Sequence, residues 1–101
     1  RKIGLTFEEK AFYDILISLR EQYNFEYGTD KEVDGVIVND KCKALAKKIK
    51  DIIDTKSSFA YWLNNQNVRN QLKLDIKICL VKNGYPPQYS SEVFNKVMKY
   101  Y

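Results

Sequence analysis

Residues 68–87 read VRNQLKLDIKICLVKNGYPP, and the reading of this stretch decides the fold. Val68, Leu72, Ile76, Cys79 and Leu80 recur at the spacing of one helical face. The repeat then meets Asn83-Gly84-Tyr85-Pro86-Pro87. Gly84 supplies a left-handed backbone position at no steric cost, and Pro86 and Pro87 cannot continue a helix. The pattern therefore predicts a helix over roughly 66–83 that ends in a stiff corner. Leu74, Ile78 and Val81 form a second apolar stripe, about 140–180° from the first. A helix apolar on two sides needs cover on two sides, which predicts a central position for it. Arg69, Lys73 and Lys77 lie between the stripes, at i, i+4 and i+8.

Upstream, LTFEEKAFYDILISLREQY (residues 5–23) opens with Thr6 as N-cap and Glu9 three residues later, the pattern of a capping box. Phe12, Ile15, Leu16, Leu19 and Tyr23 follow on one stripe, predicting a helix over roughly 7–23. Residues 27–40, YGTDKEVDGVIVND, are acidic and turn-rich. Val36-Ile37-Val38 is β-branched but has no obvious partner strand, so about 28–40 reads as one longer loop. Asp40 is the expected cap of a helix over roughly 41–54, with Leu45, Ile49, Ile52 and Ile53 on one side. Lys43, Lys47 and Lys50 gather opposite them. Phe59, Tyr61 and Trp62 sit among capping residues, as in a short helical turn. Beyond the corner, Ser90 or Ser91 is the expected cap of a last helix carrying Val93, Phe94, Val97, Met98 and Tyr101. The sum is an all-α fold: a small bundle of about four main helices with one longer loop, a single helical domain over 1–101.

A chain of 101 residues supports one modest core. No apolar run approaches the ~20 residues of a membrane span, so no membrane association is expected. The first residues lack a signal-peptide core, and the absence of an initiator Met suggests a fragment of a larger multidomain chain. Charge is unevenly placed. Residues 1–40 hold 5 basic and 9 acidic side chains, whereas residues 41–82 hold 10 basic and 3 acidic. Such polarity steers an acidic partner or is paired off internally. Cys42 and Cys79 are far apart and there is no His, which argues against zinc and for two buried thiols in a reducing compartment.

Catalytic apparatus is not apparent. There is no phosphate loop and no dinucleotide fingerprint. Glu8-Glu9-Lys10 and Asp75-Ile76-Lys77 match the acid-x-Lys element of one nuclease class, in which the carboxylates hold Mg²⁺. Both fall in helical patterns, where residues two apart diverge, so they read as solvated helix charges. The expectation is no catalytic residue, no metal site and no cofactor within these residues. The candidates for binding DNA or a partner are Lys73, Lys77, Lys43, Lys47 and Lys50, with a merely solvated face as the alternative. Trp62, Arg69, Gly84, Pro86 and Pro87 are the candidates for structural roles, Arg69 through an internal hydrogen bond or ion pair. The Tyr residues read as core more than as base-stacking platforms.

The residues also carry a resemblance. GLTFEEKAFYD (4–14), Trp62 followed by Val68-Arg69 and Leu72, and NGYPP (83–87) occur in this order. Together they resemble the helical C-terminal region of the restriction (motor) subunit of type I restriction-modification enzymes. The chain departs from that pattern at Tyr61, where an acidic residue is expected, at Asn83, where an aromatic is expected, and in the stretch from Gly28 to Asn39. The resemblance implies a cytoplasmic, prokaryotic parent enzyme that uses ATP and Mg²⁺ to translocate and cut DNA, with those sites outside these residues. It implies methyltransferase and specificity subunits as partners. The helical region then docks on the methyltransferase core or supports the motor domains; the alternative is an auxiliary module touching DNA phosphates.

Overall fold

In the computed structural model the described residues are 4–56 and 65–100. Four helices are present among them: α1 (Phe7–Gln22), α2 (Asp40–Lys56), α3 (Gln66–Lys82) and α4 (Ser90–Tyr100). Two short strands, β1 (Asp30–Val33) and β2 (Val36–Asn39), stand between α1 and α2, and a 3₁₀ turn, Pro87–Tyr89, precedes α4. Helix α1 packs on α2, α2 on α3, α3 on α4, and α4 returns to α1. The mostly helical bundle expected from periodicity is thus closed as a ring of four. The expected turn around Phe59, Tyr61 and Trp62, and the structural role of Trp62, lie outside the described residues.

Local chemistry explains the helix ends. The Glu9 N–H donates to Thr6 Oγ1 (3.3 Å) and the Thr6 N–H donates to Glu9 Oε1 (3.0 Å), the reciprocal capping box. At the other end of α1, Asn24 takes a left-handed φ of 55°. Helix α3 starts on Asn65, whose side chain accepts from the Asn67 and Val68 N–H groups. It ends in a Schellman arrangement: the Gly84 N–H donates to Val81 O (3.2 Å) and the Tyr85 N–H to Leu80 O (3.0 Å), with Gly84 at φ 78°. The apolar contact that accompanies this motif is supplied by Leu80 and Tyr85, both fully buried. Pro87 opens the 3₁₀ turn that leads into α4. Ser90 is already helical at φ −59°, ψ −36°, so it continues that turn and is not the cap expected of it.

Three further expectations are corrected here. Residues 28–40 are not one loop. β1 and β2 pair antiparallel in the register Asp30 with Asn39 through Val33 with Val36. The connecting Asp34 and Gly35 have φ of 52° and 80°, positive at both positions as a two-residue hairpin turn requires. Val38 faces inward while β1 is exposed throughout, so the missing partner strand is a polar one. The cap of α2 is Asn39 and not Asp40: the Cys42 N–H donates to Asn39 Oδ1 (3.1 Å). Helix α3 is also not covered on two sides. Leu72, Ile76, Cys79 and Leu80 are buried, but Leu74, Ile78 and Val81 are 49%, 43% and 55% exposed. In a ring of four helices each member buries one face, which leaves the second stripe of α3 at the surface.

The core gathers Phe12, Leu16 and Leu19 of α1 with Leu45 and Ile49 of α2, Leu72, Ile76 and Leu80 of α3, and Val93 and Val97 of α4. Two polar anchors set its edges. Tyr85 has no exposed surface, and its hydroxyl donates to Leu16 O (2.9 Å). Asn39, equally buried, donates through Nδ2 to Tyr27 O (2.7 Å) and Asp30 Oδ1 (3.2 Å), and through its N–H to Tyr13 Oη (3.1 Å). Arg20 holds the hairpin to α1 with a two-pronged grip on Asp30, at 2.7 and 3.0 Å.

Tyr85→Phe is expected to lower stability by about 1 kcal/mol through loss of one buried hydrogen bond, and Tyr85→Ala by about 3–5 kcal/mol. Urea titration decides it, and equal midpoints for the parent and both variants would remove Tyr85 from its structural role. The Arg20 hydrogen bonds chiefly hold the Asp30 carboxyl below its ordinary value. A lowered folded-state value means that this stabilisation is complete above about pH 4–5 and is lost as pH falls through the lowered value. The stability gap between the parent and Asp30→Asn should therefore narrow as melts are taken from neutral pH towards about pH 2. A constant gap would refute the linkage.

Candidate functional site

The five lysines singled out from the sequence do not form one surface. Lys50 of α2 points to the N-terminal end of α1, where its ammonium lies 3.1 Å from Glu8 Oε1 and 2.6 Å from Asp54 Oδ2. Its side chain is only 20% exposed, and its pKa is raised, mainly by the hydrogen bond to Asp54 and then by that to Glu8. Lys50 is an internal tie between two helices. Lys43 is half-buried in the first turns of α2, and Lys47 is exposed one turn on. Lys73 and Lys77 are exposed on α3, while Arg69 is half-buried near its start. Among the described residues, Lys47, Lys73 and Lys77 make no ion pair.

The acid-x-Lys matches are taken apart by the helices. Glu9 closes the capping box, Glu8 holds Lys50, and Lys10 pairs with Asp14 at 2.9 Å. Asp75 accepts from Gln71 Nε2 at 3.0 Å, Ile76 is buried, and Lys77 points to solvent. Neither triplet converges on a common point. Among the described residues, no three of Cys, Asp and Glu stand together as a metal site would need. Burial pushes the Cys42 thiol up to about 11 and raises that of Cys79, so both stay protonated at neutral pH and are poor nucleophiles.

A surface emerges instead from α3 and its junction with α2. Leu74, Ile78 and Val81 are exposed along one line of α3. Beside them an open cleft of about 650 Å³ runs between α2 and α3, lined by Lys48, Asp51, Ile52 and Thr55 on one side and by Asp75, Ile78, Cys79, Lys82 and Asn83 on the other. Lys73 and Lys77 lie on the far side of the aliphatic line, by helical geometry. The result is an apolar strip with lysines along both margins. A strip of this kind suits the docking of another protein surface. Sequence reading found the strip's residues but assigned them to the interior; its lysines beyond Lys73 and Lys77, namely Lys48 and Lys82, were missed because they gain meaning only from the α2–α3 junction.

A second cleft, of about 550 Å³, separates α1 from the hairpin and is lined by Lys10, Asp14, Arg20, Glu21 and Asp30 among others. Its charges are largely paired with one another, Lys10 with Asp14 and Arg20 with Glu21 and Asp30. Among the described residues, no helix is long and apolar enough to cross a membrane.

A family model described as type I restriction enzyme HindI endonuclease subunit-like, C-terminal, matches residues 1–101. No curated protein and no solved structure gives a significant match. The chain belongs to this family, the C-terminal domains of HindI-like endonuclease subunits.

Charge reversal should separate the lysines by role. Lys50→Glu places three carboxylates together and is expected to cost about 1 kcal/mol or more, whereas Lys47→Glu should stay within about 0.5 kcal/mol of the parent. Thermal melts check this, and equal melting temperatures for the two variants would overturn the distinction.

Proposed function

We propose that this domain is a docking module through which a type I restriction endonuclease subunit is held on its methyltransferase–specificity core. The observation that carries the reading is the aliphatic strip of α3, three exposed aliphatics in one line of a helix, whereas the other exposed large apolar side chains among the described residues, Phe7, Tyr23, Val33 and Ile37, stand on other elements. Exposed aliphatics clustered on one helix weaken a domain standing alone and are stabilised by a partner. Family membership supplies the context of a multisubunit enzyme. ATP- and Mg²⁺-dependent translocation and cleavage of DNA, in the prokaryotic cytoplasm, are assigned to the rest of the parent chain. No catalytic role is assigned to the domain itself, because its acid-x-Lys charges diverge: Glu9 closes a cap, Glu8 ties α1 to α2, Lys10 pairs with Asp14 along α1, and Lys77 is exposed.

The exposed Lys47, Lys73 and Lys77 favour a second reading, in which the domain adds contacts to duplex phosphates. These cations, with the exposed Lys48 and Lys82, border an aliphatic strip that offers nothing to phosphate, unlike a dedicated DNA-binding face.

Salt separates the two. In the intact endonuclease subunit, deletion of this domain should abolish assembly with the methyltransferase–specificity core, and the parent assembly should weaken only a few-fold between about 50 and 200 mM salt. A dominant phosphate role would instead show as duplex affinity falling by orders of magnitude over that range and depending on the domain. Assembly measured by mass photometry that survives the deletion would sink the docking reading.

A further inference from the structure

The exposed strip has a spacing that says more than that something covers it. Leu74, Ile78 and Val81 are separated by four and then three residues, the alternation of a heptad seam. On this register Lys77, Lys82 and Asp75 fall on the positions that flank the seam, with Lys73 one turn before Lys77. Lys48 of α2 reaches the same cleft as Lys82. Two carboxylates, Asp51 and Asp75, also line that cleft, and Asp75 is engaged by Gln71. The four lysines outnumber them, so the margins are net cationic.

We infer that α3 pairs, along Leu74, Ile78 and Val81, with an amphipathic helix of the methyltransferase–specificity core whose apolar stripe is flanked by Asp and Glu. The inference deepens the docking reading and rests on it. A helix fits for three reasons. The seam is straight and runs about 10 Å, roughly two turns. The cleft between α2 and α3 is the groove into which a ridge of side chains from a third helix packs. The lysines stand at the flanking positions, where facing carboxylates set partner choice and orientation. Duplex DNA fits less well, because three aliphatic side chains occupy the middle of the surface and offer nothing to phosphate. Two turns of seam make a weak contact alone, so the pairing acts as one contact within a larger assembly.

The test uses the intact endonuclease subunit with the purified methyltransferase–specificity core. A photo-crosslinking p-benzoylphenylalanine placed at the exposed position of Val81 should capture a core peptide with aliphatics at three- and four-residue spacing and a net negative charge. Capture of a lysine-rich or extended core segment, of the subunit's own motor domains, or of a DNA duplex alone would overturn the inference. So would no capture from a complex that assembles. Leu74→Asp combined with Ile78→Asp, both at exposed positions, should weaken assembly at least about tenfold and leave the melting temperature near that of the parent. Lys77→Glu combined with Lys82→Glu should weaken it less, and only at low salt. Assembly unaffected by the aspartate pair but abolished by deletion of the domain defeats this inference and leaves the docking reading standing. Assembly that survives the deletion as well defeats both.

Discussion

A tyrosine side chain with no exposed surface must find a partner for its hydroxyl, and in this domain the partner is a helix carbonyl. Tyr85 reaches across from the end of α3 to Leu16 O in the middle of α1. Its ring meets Phe25 and Tyr27 edge-on, at 5.3 and 5.0 Å between centroids. The Tyr27 hydroxyl in turn donates to Asn83 O at 2.8 Å, on the corner itself. The corner is thus bound by hydrogen bonds running both ways between it and the first third of the chain. Helix α4 can close the ring against α1 only if α3 ends at a fixed place and angle. The Schellman turn at Gly84 and the prolines after it supply the angle, and Tyr85 supplies the place.

What could be read from the residues alone follows the range of the interactions. The capping box at Thr6 and Glu9 and the stop at Gly84 were legible because each is completed within a few residues. The hairpin was not, because β1 is Asp-Lys-Glu-Val and presents no apolar alternation. The Asp34-Gly35 pair was the available sign of it, since few dipeptides accept positive φ twice. Asn39 was passed over for its neighbour Asp40, and only the side-chain contacts to Tyr27 and Asp30 show why the amide holds that place. A carboxylate there could not donate to the Tyr27 carbonyl. Of the candidate site, the residues were visible but their fates were not. Lys47 and Lys50 look alike in sequence, and the arrival of Glu8 beside one of them is a tertiary event.

The uneven charge of the chain now has a partial account. The acidic first part meets the basic middle at Glu8 and Lys50, while Lys31 and Asp40, 2.6 Å apart, pair within the first part itself. The Glu8–Lys50 pair uses a little of the excess. What remains cationic lies on α2 and α3, alongside aliphatic side chains that the ring of helices cannot cover. For a domain of an endonuclease subunit, that combination of apolar strip and cationic margins directs attention to protein contacts ahead of phosphate contacts.

Gly28 and Asn39 show how closely two positions on either side of the hairpin are bound. Gly28 has φ 68°, and a Cβ built on it would lie 2.3 Å from Asn39 Oδ1. Any side chain at 28 would drive the amide out of the place where it caps α2, receives Cys42 and grips Tyr27. The grip of Asn39 on Tyr27 O in turn holds only while the chain passes this close beside it. In evolutionary terms the two behave as one inherited character: drift at either position alone leads off a ledge, and only a simultaneous change of both opens another route. Among homologues this would show as two sites that are lost together or kept together, while the exposed β1 residues around them vary freely.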